Sequence, residues 1–296
     1  MTTATAAEPE LVSGPTAGPF RRFTRRLVRQ PLAFGSLLVI VLLVITALAA
    51  PLLAPMDPNA TDLVARNQPP GGGHLLGTDD LGRDLLSRLI YGTRITLMAP
   101  LIAVGVGALI GVPAGLIAGF WGRTPDWLLS RLADAMLSLP SLVLAMAIVA
   151  ARGPSTVNAM TAVGLAFSPR IFRVVRGATM SVRHEVFIDA SRAIGCTTKR
   201  LIAVHVLPNV AAPLIVQATV LLGFGVLAEA GLSFLGVGVQ PPEASWGVLL
   251  RRGFDNLYMA PFQSIPSGLA ITVLILAFQF LGDGMRDSLG KELRRA

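Results

Sequence analysis

SVRHEVFIDASRAIGCTTKRLIAVHVLPN, residues 181–209, is the most polar long segment between otherwise apolar runs, and its reading decides the fold. The spacing predicts two short helices broken at a glycine. In the first, Phe187, Ala190 and Ile194 recur at intervals of three and four and share one face, with Arg183, Glu185 and Arg192 elsewhere. Gly195 can take positive φ at a helix C-terminus, and Thr197 can accept a hydrogen bond from the first amides of a second helix. That second helix is expected to stop at Pro208. From the residues alone, the segment reads as a helix-turn-helix loop between two membrane spans.

Composition agrees with that setting. Of 296 residues, 53% are hydrophobic and 14% charged, too apolar for a soluble globule of this size. The net charge of +8 comes mostly from arginine, since Lys199 and Lys291 are the only lysines. A nucleic-acid binder can be this basic but does not carry repeated uncharged runs of membrane length, so no nucleic-acid partner is expected. Cys196 is the single cysteine, which excludes an intramolecular disulfide and a cysteine-based zinc site.

Outward from the segment, six apolar runs are expected to span the bilayer as an all-α polytopic protein: residues 32–54, 95–120, 132–151, 157–175, 210–230 and 265–281. Residues 1–19 have a composition that cannot bury a core and are expected to be disordered; five arginines then precede the first run. A cleaved signal peptide is the rival for that run, but its length favours an uncleaved anchor. Residues 57–94 turn from polar to amphipathic, with Leu81, Leu85, Leu86, Leu89 and Ile90 on one side of a helix capped by Thr78 or Asp79 and laid along the membrane surface. His74 with Asp79, Asp80 and Asp84 can be read as a metal site, although a lone histidine among capping aspartates favours a structural role and no metal is expected. The second run carries Gly107, Gly111, Gly115 and Gly119 at four-residue intervals, a face without side chains that favours helix packing over a substrate path. The fourth run is weak and should kink or stop at Ser168-Pro169-Arg170. Residues 231–264 form a second polar excursion. The domain division is a basic N-terminus (1–30), the first span with its amphipathic extension (31–93), a transmembrane core (94–284) and a basic tail (285–296). No internal duplication is convincing.

Arginine and lysine divide 18 to 7 between the two sides that six spans define, which puts both termini and residues 181–209 in the cytoplasm. Gln217, Glu229 and Gln279 are the polar groups within spans and the candidates for a translocation path; Glu229 lies close enough to the outer interface for solvation there to account for it. No phosphate-binding GxxxxGK[ST] loop, nucleophile elbow or HExxH is present, so neither ATP hydrolysis nor intramembrane catalysis is expected of this chain.

Asp189-Ala190-Ser191, three residues, Gly195, nine residues, and His205-Val206-Leu207-Pro208 resemble the Glu-Ala-Ala loop of bacterial ABC importer permeases, with Asp189, Ser191 and His205 as departures. HLLGTDDLGRDLLSRLIYGTR at 74–94 and GLSFLGVGVQPPEASWG at 231–247 are similar to segments of the C-type permease of dipeptide and oligopeptide importers. The resemblance implies a MetI-like type I importer fold. It also implies a role for Asp189, Ala190, Ser191, Gly195, Cys196, Leu207 and Pro208 in coupling to an ATPase. The partners implied are a second homologous permease, two ATPase subunits that hold ATP and magnesium, an extracytoplasmic solute-binding protein and the lipid bilayer, with no cofactor in this chain. The expected cargo is di- or oligopeptide; nickel, glutathione or another small solute is the alternative within the family. An ion-driven secondary transporter is the rival of a different class, and it would need coupling-ion ligands deep in broken helices.

Overall fold

A computed structural model describes residues 27–293. The disorder expected for residues 1–19, and Arg21, Arg22, Arg25, Arg26, Arg294 and Arg295, lie outside the described residues. Those described are helical, with isolated β-bridges and no β-strand.

Helix α1 (Pro31–Leu48) ends short of the expected residue 54, and a separate turn, Ala50–Leu53, follows. Pro51 is the cause, because it has no N–H for the carbonyl of Ala47; Arg94 Nε donates to that oxygen instead, at 2.6 Å. Helix α2 (Leu85–Trp121) corrects the expectation of a separate surface helix before the second span. Its N-cap is Asp84, which accepts from Ser87 N, rather than Thr78 or Asp79, and the amphipathic residues from Leu85 onward form its first turns.

The third expected span is broken. Helix α3 (Arg123–Leu137) and helix α4 (Ser141–Arg152) meet at an angle of 87° across Ser138-Leu139-Pro140. Helix α5 (Thr156–Val182) neither stops at Pro169 nor ends at residue 175. The carbonyl of Leu165, which Pro169 cannot serve, accepts from Ser168 Oγ at 2.8 Å, so the helix continues with its acceptor satisfied. Helix α6 (Val186–Ala193) leads through Gly195 into a short turn, Thr198–Arg200, and then a π-helical stretch, Leu201–Val206. Helix α7 (Leu207–Phe234) follows without a break, so Pro208 does not terminate the second helix of the polar segment. It falls in the first turn of α7, where its missing N–H costs little. Helix α8 (Trp246–Asp255) and helix α9 (Ser264–Leu293) complete the described residues.

Among the described residues four stretches can cross a membrane by length and apolarity, Pro31–Leu48, Leu85–Trp121, Thr198–Phe234 and Pro261–Ser288; the bent α3–α4 pair makes a fifth if it is one span. Helix α5 falls below that measure; Arg170, Arg173 and Arg176 lie in its second half. At the centre α2 packs along α5, with α7 on both, α4 on α5, and α9 on α7. Helix α1 lies outside this core, against α9 and α2.

Candidate functional site

Ile188 anchors the polar segment. It is fully buried and joins a core with Leu201, Val206 and Val210. The face that Phe187, Ala190 and Ile194 share is exposed, because the helix is turned so that Ile188 points to the core. An apolar surface therefore faces outward: Ile194 is 86% exposed and Val186 83%, with Phe187, Val204 and Leu207 also open. At the turn Gly195 has φ +84°, and a Cβ there would meet nothing within 4 Å. Thr197 precedes the next helix without the expected side-chain cap. Asp189 is exposed and 3.3 Å from Arg192, and Ser191 Oγ donates to Phe187 O. Ala190 and Pro208 are exposed; Cys196 is half-buried against the core, its N–H donating to Ser191 O.

The segment is tied to the end of α2. Arg183 Nη1 donates to Phe120 O at 3.0 Å and Gly119 O at 3.3 Å, two of the carbonyls a helix C-terminus leaves unserved. The Arg192 guanidinium lies 5.4 Å from the Phe120 ring centre. Farther along α2 the four glycines lie against α5. A Cβ at Gly107 would sit 3.0 Å from Gly164 O, at Gly111 2.6 Å from Ser168 O, at Gly115 2.7 Å from Val175 Cβ, and at Gly119 2.6 Å from Thr179 Cβ.

Gln217, Glu229 and Gln279 are not brought together. Glu229 is 1% exposed rather than solvated; Ser233 Oγ donates to its Oε1 at 2.8 Å, and Oε2 has no hydrogen-bond partner. Gln279 lies beside Gly223, whose Cβ would stand 3.3 Å from its Nε2, and Gln217 is half-buried.

At the opposite end of α2 stands a buried polar network that sequence reading treated as caps and a possible metal site. Asp79 accepts from Arg83 Nε at 2.7 Å and from two backbone amides, and lies 3.8 Å from Arg88. Asp84 accepts from Ser87 and stands 3.0 Å from His74 Nδ1, and Arg252 donates to Asp80 at 2.8 Å. Arg88, only 1% exposed, donates to Pro58 O. The carboxylates thus have arginine, amide or histidine partners. The four-residue interval from Asp79 to Arg83 was a visible signal for that pair, whereas Asp84 and Arg88, at the same interval, turn to His74 and to Asp79. Nothing local pointed to Arg252. Trp246, fully buried, crosses to the same helix, its Nε1 donating to Leu89 O and its N–H to Thr96 Oγ1.

Residues 111–295 match the family described as binding-protein-dependent transport system inner membrane component, and residues 18–70 match the N-terminal TM domain of oligopeptide transport permease C. The chain belongs to the binding-protein-dependent ABC importer permeases. It is 40% identical to the dipeptide transport system permease protein DppC of Alkalihalophilus pseudofirmus over 93% of this chain and 91% of that one. To the di/tripeptide transport permease DppC of Pseudomonas aeruginosa it is 42% identical, over 100% and 99%. The inward-facing MetNI methionine ABC transporter shares the fold of this permease, with a TM-score of 0.55 at 22% identity, over 69% of this chain and 96% of that chain. The permease is thus a multi-pass membrane component with a MetI-like helical core.

Proposed function

We propose that this permease forms, with a second homologous permease, the translocation path for di- or oligopeptides, powered by two ATPase subunits that carry ATP and magnesium and supplied by an extracytoplasmic solute-binding protein. One observation carries this reading. The segment 181–209 buries Ile188 and turns Val186, Phe187, Ile194, Val204 and Leu207 outward, an apolar surface around the Gly195 turn of the kind a groove on another protein covers. Asp189, Ala190, Ser191, Gly195, Cys196, Leu207 and Pro208 are assigned to that contact. Closure of the ATPases would displace the segment. Two rigid routes lead inward from it: the unbroken stretch Thr198–Phe234, and the Arg183 and Arg192 contacts at the end of α2. The paired permeases then alternate between inward and outward access. Gln217, Glu229 and Gln279 are offered as polar groups along the path. The peptide assignment rests on the relatives' substrates.

The proposed topology has six spans, α1, α2, a third in which α4 crosses and α3 lies at its cytoplasmic end, α5, α7 and α9, with both termini cytoplasmic on the arginine and lysine bias. The solute-binding protein would dock on residues 57–94 and 231–264. A reporter active only outside the membrane should be silent after Ala296 and active at Pro70; the reverse pattern ends this orientation. The function is tested by reconstituting the permease pair, ATPases and binding protein in proteoliposomes. Labelled dipeptide should accumulate only with ATP and all components. Uptake driven by an ion gradient without the ATPases would overturn the proposal.

A further inference from the structure

The bend between α3 and α4 has a consequence at the membrane surface. Helix α4 is apolar, and its Leu142, Val143 and Met146 are exposed, as hydrocarbon-facing side chains are. An 87° turn separates it from α3, so when α4 runs along the bilayer normal α3 lies in the plane of the interface. Its sequence suits that position. Trp127, Leu128 and Leu132 are exposed apolar side chains, and Arg123, Trp127 and Arg131, spaced by four, form one stripe along the helix. Tryptophan and arginine are the residues that settle at headgroup level.

A cavity of about 480 Å³ opens along this stripe between α3 and α5, lined by Arg123, Asp126, Trp127, Arg131, Asp134 and Arg176 among others. Its two carboxylates are already taken. Arg176 pairs with Asp126, and Arg173 with Asp134 at 2.7 Å. Four guanidinium groups therefore meet two carboxylates, and among the described residues Arg123 and Arg131 form no ion pair or side-chain hydrogen bond. Arg123 also keeps a left-handed backbone, φ +48°, directly after Gly122. That conformation is unfavourable for a non-glycine residue, so the turn holds a cation where glycine would fit more easily.

We propose that this cavity holds the phosphate headgroup of an anionic phospholipid, with Arg123 and Arg131 as its ligands and Trp127 between them. Guanidinium forks match phosphate oxygens. The neighbouring Leu128, Leu132 and α4 surface favour a lipid over free phosphate, because only a lipid brings acyl chains to cover them. An acidic side chain of another subunit would satisfy the arginines but leave that surface to be explained separately.

The assembled transporter, ejected from nanodiscs of mixed phosphatidylcholine and phosphatidylglycerol, can be read by native mass spectrometry. Arg131→Gln should lower phosphatidylglycerol retention about fivefold, and Arg123→Gln with Arg131→Gln further, since each near-surface arginine is worth about that factor. Arg131→Lys should keep most of it, phosphatidylcholine should not change, and added inorganic phosphate should not displace the lipid. Arg131 is exposed on a helix, so its single variant carries the test if the double variant does not assemble. Unchanged retention in Arg131→Gln, displacement by inorganic phosphate, or a photoreactive group at position 127 that captures another subunit rather than lipid would each overturn the assignment. Lipid retention depends on membrane embedding and not on the proposed solute or ATPases, so it and peptide uptake fail independently.

Discussion

Gly111→Ala and Gly111→Leu probe the seam that holds α2 to α5. A Cβ built on Gly111 falls 2.6 Å from the carbonyl oxygen of Ser168 and 2.9 Å from Ile171 Cβ, whereas comfortable heavy-atom separations are about 3.5–4.0 Å. The obstruction includes backbone, so no rotamer change relieves it, and α2 must withdraw by roughly 1 Å. A gap of about 0.5–1 Å forfeits a quarter to a half of each dispersion contact along the opened surface. That loss spreads, because Gly107, Gly115 and Gly119 make the same close approach. In lipid no apolar burial opposes the separation, since acyl chains replace the lost partner. Gly111→Ala should therefore cost about 1–3 kcal/mol, the range for an overpacked core methyl, and Gly111→Leu that much or more. Gly105 supplies the control: a Cβ there meets nothing within 4 Å, so Gly105→Leu should be tolerated. Thermal denaturation of the detergent-solubilised complex, followed by fluorescence size-exclusion chromatography, reads the difference. If Gly111→Leu melts with Gly105→Leu, the seam does not depend on close backbone approach and the reasoning fails.

Three further outcomes are expected. Asp79→Ala strands the buried Arg83 and Arg88 guanidiniums and should cost about 3–5 kcal/mol, whereas Asp80→Ala, which breaks a half-exposed pair with Arg252, should cost about 1 kcal/mol or less; equal melting temperatures would contradict this. Gly195→Val forces a β-branched residue to φ +84°, at roughly 1–2 kcal/mol from the backbone alone because the space is open; the variant should remain in the membrane while ATP hydrolysis and transport become uncoupled, and normal coupling would refute that role. A membrane-impermeant maleimide should label Cys196 from the cytoplasmic side only, slowly because the thiol is half-buried, and more slowly with ATPases bound. Equal rates with and without the ATPases would remove Cys196 from the contact.

Much of this permease was legible because its information is local. Long uncharged runs identify an all-α membrane chain, and the interval from Asp189 through Gly195 to Pro208 marks the polar segment whatever surrounds it. The glycine interval showed that α2 has a bare face but not which helix meets it. The stop expected at Pro169 was misread because Ser168 beside it serves Leu165 O, whereas the break at Pro51 was missed, and there Arg94 serves Ala47 O across the chain. Periodicity put Phe187, Ala190 and Ile194 on one face, but it carries no direction, and only the core around Leu201 and Val206 decided that Ile188 would turn inward. The pairing of Arg252 with Asp80, the burial of Glu229 and the 87° bend of α3 against α4 likewise came from the tertiary structure. A sequence determines which segments prefer lipid and helix because each residue contributes that preference nearly independently; which faces meet depends on close packing and polar satisfaction between distant segments, and these exist only once the helices are assembled.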